Sequence, residues 1–162
     1  MQANSLGERA GACSHIDQGS RTLRAILGAM SQENVEVVRS LFEAQARHDL
    51  EAIRKLYDPS IEWDDVSGLW GDWGARRGRG DVRDAFASWF EAFEDVTFLG
   101  EGFLEAGEHV VVTVRIRGRG RGSGLQVDQR ITLVWAVSGG RVTRVRGYRD
   151  RREAVEALGL RE

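Results

Sequence analysis

The chain has 162 residues, 41% of them hydrophobic and 30% charged, with a formal net charge of -2. That is enough for one domain with a real core, since a chain of about 150 residues buries roughly 70% of its unfolded surface. The balanced charge gives no global attraction for nucleic acid or acidic lipid, no apolar run nears the roughly 20 residues of a membrane helix, and the lone Cys13 permits no internal disulfide, so a cytoplasmic protein is expected.

Residues 1–29 are rich in Gly, Ser and Ala and show neither a helical nor an alternating period. A mostly disordered extension is expected there, with the domain over 30–162. From Ser31 onward Val35, Val38, Leu41 and Phe42 fall at helical spacing, with Glu33 and Glu36 in the first turn where the helix dipole favours them. This predicts a helix to about residue 47. Asp49 caps a second helix over 50–57, stopped by Pro59, and "SIEW" reads as a short strand. The stretch "VSGLWGDWGARRG" follows as a loop. In "GDVRDAFASWFEAF" the residues Val82, Phe86, Trp89, Phe90 and Phe93 line one face of a third helix capped by Asp81.

The remainder reads as strands and one last helix. Two runs in "DVTFLGEGFLEAGEHVVVTVRIRGRG" flank the turn-rich "EAGEH", and "LQVDQRITLVWAV" and "RVTRVRGY" are joined by "SGG", whose glycines supply a tight turn. Asp150 caps a closing helix carrying Ala154, Val155 and Leu158 and ending at Gly159. Helices followed by antiparallel strands imply an α+β domain with helices on one face of a curved sheet.

Three stretches carry a family resemblance over about residues 30–160. "RHDLEAIRKLYDPSIEWDD", "GRGDVRDAFASWF" and "SGGRVTRVRGYRDRREAVEALGL" resemble the opening helices and first strand, the glycine-led third helix, and the last hairpin and closing helix of the NTF2-like superfamily, in its SnoaL-like and ketosteroid-isomerase-like branch. The resemblance implies a cone: a curved antiparallel sheet with three N-terminal helices on its concave face, a C-terminal helix, and an apolar cavity, often in a dimer. Asp64 falls where the isomerase branch carries its proton-shuttling carboxylate, facing the cavity. A carboxylate desolvated beside Trp63, Trp70 or Trp73 would have a raised pKa and could take a proton from carbon next to a carbonyl. The alternative is that Asp64 caps the loop or pairs with Arg76 or Arg77. Leu41 and Thr132 stand where that branch places its two oxyanion donors, which disfavours steroid isomerisation.

Alternation along the strands supplies the rest of the expected site. Val110, Val112, Val114 and Ile116 form one row, which should line the cone. Thr132 shares a face with Arg130 and Asp128, so if that face lines the cavity Arg130 is a fixed cation within it, suited to a carboxylate or an enolate-forming carbonyl. Ile131, Leu133 and Trp135 then lie on the outer face, and a homodimer with Trp135 near its centre is expected. Trp70 and Trp73 are expected as a lid over the mouth. The bland alternative is that the tryptophans plug the cone against Phe86, Trp89 and Phe90 and leave no cavity.

The arginines at 115, 117, 119 and 121 recur at every second residue, yet without interleaved stacking aromatics they read as a solvated hairpin rather than a nucleic-acid surface. His15, His48 and His109 have no ligand spacing, and no dinucleotide or phosphate loop occurs, so neither metal nor cofactor is expected. Two functions fit this sequence. One is a small-molecule-binding protein performing cofactor-independent proton transfer as an isomerase, cyclase or hydrolase on an apolar ligand with a carbonyl or carboxylate. The other is a non-catalytic ligand-binding or dimerisation module of the same fold.

Overall fold

A computed structural model describes residues 14–65 and 75–160. In chain order these form α1 (Ser14–Ala46), α2 (Leu50–Leu56), β1 (Tyr57–Asp65), β2 (Arg76–Arg77), α3 (Arg79–Ala92), β3 (Phe93–Ala106), β4 (His109–Gly120), β5 (Gln126–Ser138), β6 (Arg141–Tyr148) and α4 (Arg151–Ala157). The fold is α+β with one curved, unclosed sheet of order β2-β1-β6-β5-β4-β3. β1 runs parallel to β6, and every other neighbouring pair is antiparallel. No helix among the described residues is long and apolar enough to cross a membrane.

The concave face holds the main core. From α1, Val38, Leu41 and Ala44 are fully buried, at the spacing one helix face requires. α2 starts at Asp49, whose Oδ1 accepts from the Ala52 N–H at 3.1 Å, and it sends Ile53 into the same core. In α3 the core residues are Val82, Ala85 and Phe86. Val110, Val112, Val114 and Ile116 of β4 join them, in register with Trp135, Leu133, Ile131 and Gln129 of β5. The convex face carries a smaller core, where Val111 and Val134 meet Ala154 of α4 with Leu104, Tyr148 and Leu158 packed around them.

Several boundaries differ from the sequence reading. α1 begins at Ser14 rather than Ser31, so residues 14–29, expected as mostly disordered, are helical. Leu23, Ile26 and Met30 on this portion are exposed at i, i+3 and i+7, a helical spacing that the Gly, Ser and Ala around them obscured. β1 starts at Tyr57 and runs through Pro59, which falls where the β1–β6 register shifts between Tyr57 and Glu62 and its missing N–H leaves no gap in the ladder. α3 is capped by Gly78 at φ 82, not by Asp81. The Asp81 carboxylate instead accepts from the Arg77 N–H and the Arg76 guanidinium, both at 3.2 Å. Phe93 opens β3 rather than closing α3.

Candidate functional site

The concave core is built from rings. Trp63 of β1 packs edge-on to Trp135 of β5, centroids 5.8 Å apart at 82°, and edge-on to Phe86 of α3 at 6.0 Å and 81°. Tyr57 lies against Trp135 at 6.5 Å and Trp63 at 6.3 Å, while Phe42 of α1 meets Trp135 at 5.9 Å. Phe98 extends the cluster from Phe86 toward Trp89 and Phe90. Edge-to-face pairs of this kind contribute about 0.5–1.5 kcal/mol each beyond burial.

Among the described residues the Tyr57 hydroxyl and Trp135 Nε1 of this core, and the Gln45 Oε1 of α1, have no hydrogen-bond partner. Tyr57 and Trp135 are fully buried and Gln45 is 3% exposed. Burial pushes the Tyr57 phenol well above its ordinary pKa, so it stays a neutral donor. Nearly all buried polar groups in native proteins are paired with protein or with water, so each of these atoms can take a partner from outside the chain. Gln45 and Thr132 are the only buried polar or charged residues among those described, and no carboxylate is buried with the rings.

The expected site divides along the sheet. Trp63, Phe86, Val112 and Val114 are brought together in the concave core, with Trp89 and Phe90 half-buried at its side. Asp64, Arg130 and Thr132 are not with them. Asp64 is in register with Arg146 and hence with Val134, which belongs to the convex cluster, whereas Trp63 is in register with Val145 and Trp135. Its carboxylate lies 3.5 Å from the Arg77 guanidinium and 3.6 Å from that of Arg144. The alternative pairing with the loop arginines therefore holds for Arg77, and the cavity-facing placement of Asp64 is corrected.

Arg130 and Thr132 are in register with Arg115 and Thr113, again on the convex row, and the Arg130 Nε donates to Glu101 Oε2 at 3.1 Å. In an antiparallel pair the residues facing each other share a sheet side, so Val112 opposite Leu133 and Val110 opposite Trp135 fix the concave row of β5 as Ile131, Leu133 and Trp135. The outer-face apolar patch centred on Trp135 is thereby overturned. Trp70 and Trp73, and the lid expected of them, lie outside the described residues.

Sequence reasoning missed Tyr57, Gln45 and Trp135 as site residues. The signal for Trp135 was its register with Val110; Tyr57 was hidden by being assigned to the end of a helix. Also missed was the convex row Arg144, Arg146 and Tyr148 of β6. Among the described residues no three His, Cys, Asp or Glu side chains gather as metal ligands.

A curved open sheet closed on its concave side by three helices around an aromatic core defines an α+β cone of the NTF2-like class. The SnoaL-like domain family matches residues 38–145, and the chain belongs to that family. Among solved structures it is similar to an NTF2-like protein from Burkholderia thailandensis E264, with 26% identity over 77% of this chain and 96% of that one and a TM-score of 0.64. A candidate SnoaL-like polyketide cyclase from Jannaschia sp. CCS1 matches at 23% identity, covering 81% and 94% of the two chains, TM-score 0.62. TerC, crystallised with polyporic acid, matches at 20% identity over 78% and 98%, TM-score 0.63. No curated protein matches.

Proposed function

We propose that this SnoaL-like protein binds a small apolar, ring-bearing ligand with a carbonyl group in the concave side of the cone. The observation that carries the reading is the buried trio of Tyr57 hydroxyl, Trp135 Nε1 and Gln45 Oε1, without partners among the described residues. The first two are donors suited to a carbonyl oxygen, and they supply what Leu41 and Thr132 do not. A carbonyl fits better than a carboxylate, because Arg130 is on the other sheet face, ion-paired to Glu101. TerC, a structural neighbour, was crystallised with polyporic acid, which is in keeping with ligand capture by this fold.

The test is titration with a panel of aromatic ketones and quinones, read by tryptophan fluorescence and by the indole N–H resonances. Saturable binding that weakens about tenfold in Tyr57→Phe, the loss expected for one buried hydrogen bond of roughly 1 kcal/mol or slightly more, supports the reading. Absence of any saturable response, or equal affinity in Tyr57→Phe, refutes it.

A further inference from the structure

β6 presents Arg144, Arg146 and Tyr148 at every second residue, so all three project from the convex face. Their neighbours across the ladder are Ala136, Val134 and Thr132 of β5, and Ala136 is in turn opposite His109 of β4. The end of α4 closes the far side with Ala157 and Leu158. All of these residues except Thr132 line a cleft of about 110 Å³. That is space for roughly four waters at about 30 Å³ each.

The lining is chemically mixed. Val134, Ala136 and Leu158 supply apolar surface, with two guanidiniums and a phenol on the β6 side and the His109 imidazole on the β4 side. Arg144 is held by Asp64 at 3.6 Å. Arg146, exposed and adjacent on the same row, has no ion pair among the described residues, although the register places it opposite Asp64. The nearby α4 carboxylate of Glu156 faces Arg152, at 3.9 Å, and Asp64 is divided between Arg77 and Arg144. The cleft therefore has positive character beside apolar surface. An unpaired guanidinium there is a preorganised fork for a carboxylate.

We infer that this convex cleft binds a small organic carboxylate, its acid group on Arg146 and Arg144 and its short alkyl or aryl body against Val134, Ala136 and Leu158. The site is on the opposite sheet face from the interior rings and does not depend on the function proposed for them. Its occupant is an anion, whereas the interior offers no buried cation among the described residues.

The experiment is a methyl-resolved NMR titration of the full chain with sodium butyrate, with 1-butanol and sodium chloride at matched ionic strength as controls. Saturable shifts at the methyls of Val134, Ala136, Ala157 and Leu158 with butyrate, and not with either control, are expected. Arg146→Gln should weaken butyrate about tenfold, the worth of one charge-assisted hydrogen bond. Arg130→Gln, which removes a convex-face arginine outside the cleft, should leave the affinity unchanged. Linear, non-saturating shifts, equal affinity in Arg146→Gln, equal loss in Arg130→Gln, or shifts confined to the indole N–H resonances would each overturn the assignment. The last of these would also separate interior capture from binding in the cleft.

Discussion

Arg115 and Asp128 meet across β4 and β5 as a two-point pair, the guanidinium Nε donating to Oδ1 at 2.9 Å and Nη2 to Oδ2 at 2.8 Å. Arg117 adds a third donor to the same carboxylate at 3.4 Å. The hydrogen bonds from Arg115 are the main cause holding the Asp128 carboxyl at a pKa of about 2. An unfolded aspartate titrates near 3.9. A carboxyl depressed on folding adds stability that is fully present above its unfolded pKa and lost as pH falls through its folded one. Acid unfolding of the wild type should therefore contain a component between about pH 4 and pH 2 that Asp128→Asn lacks, the two proteins converging at the acid end. Melting curves taken across that window check it, and parallel pH profiles would exclude the linkage.

Trp63 and Asp64, consecutive in β1, should respond to substitution in opposite ways. Trp63→Ala empties a fully buried site among Tyr57, Phe86 and Trp135 and should cost about 3–5 kcal/mol in urea unfolding. Asp64→Asn removes only two long ion pairs on the convex face and should cost no more than about 1 kcal/mol, with ligand capture by the cone unchanged. Loss of ligand binding or turnover in Asp64→Asn at intact stability would return that carboxylate to the site.

Tyr57 gives an alkaline counterpart. Burial raises its pKa well above 10.0, so the folded state favours the neutral phenol, and the stability this brings is complete below the unfolded value and lost as pH rises through the folded one. Ultraviolet titration should show the Tyr57 phenolate only together with unfolding. Tyr57→Phe should keep its melting temperature to higher pH than the wild type. A Tyr57 phenolate formed reversibly in the folded protein would show instead that water reaches the ring.

The legibility of this fold in its sequence depended on what kind of pattern each residue belonged to. Val110 to Ile116 alternate cleanly, and their row is the buried one. Alternation separates the two faces of a strand without saying which is inside, and that choice propagates across the sheet by register. The β4–β5 connection pairs Val112 with Leu133 and Thr113 with Thr132, so one register assignment moved Arg130, Thr132 and Trp135 together. β6 hid its pattern differently. Its ladder slips between Ala136 and Val137, which lets Val142 and Val145, three apart, both reach the concave core and breaks the period that would have marked Arg144 and Arg146 as a pair on the other side. Capping was readable where a side chain does the work, as at Asp49 and Asp150, and not where the backbone of Gly78 does it.

The parallel ladder between β1 and β6 sets an order of events in folding. β3 to β6 follow one another as neighbouring antiparallel strands, so each can add to the last across a short turn, and that meander can form as soon as its residues are available. β1 has to wait for a partner some eighty residues later in the chain, Trp63 for Val145, and a contact of that span is entropically expensive to close. Until β6 arrives, β1 has only the two-residue β2 as a ladder partner, and the strand that sets Tyr57, Ile61 and Trp63 beside Trp135 of β5 is missing. A nascent chain would thus carry Tyr57, Ile61 and Trp63 without their β6 partner through most of synthesis, which makes the opening third of the domain the part most in need of a holding chaperone.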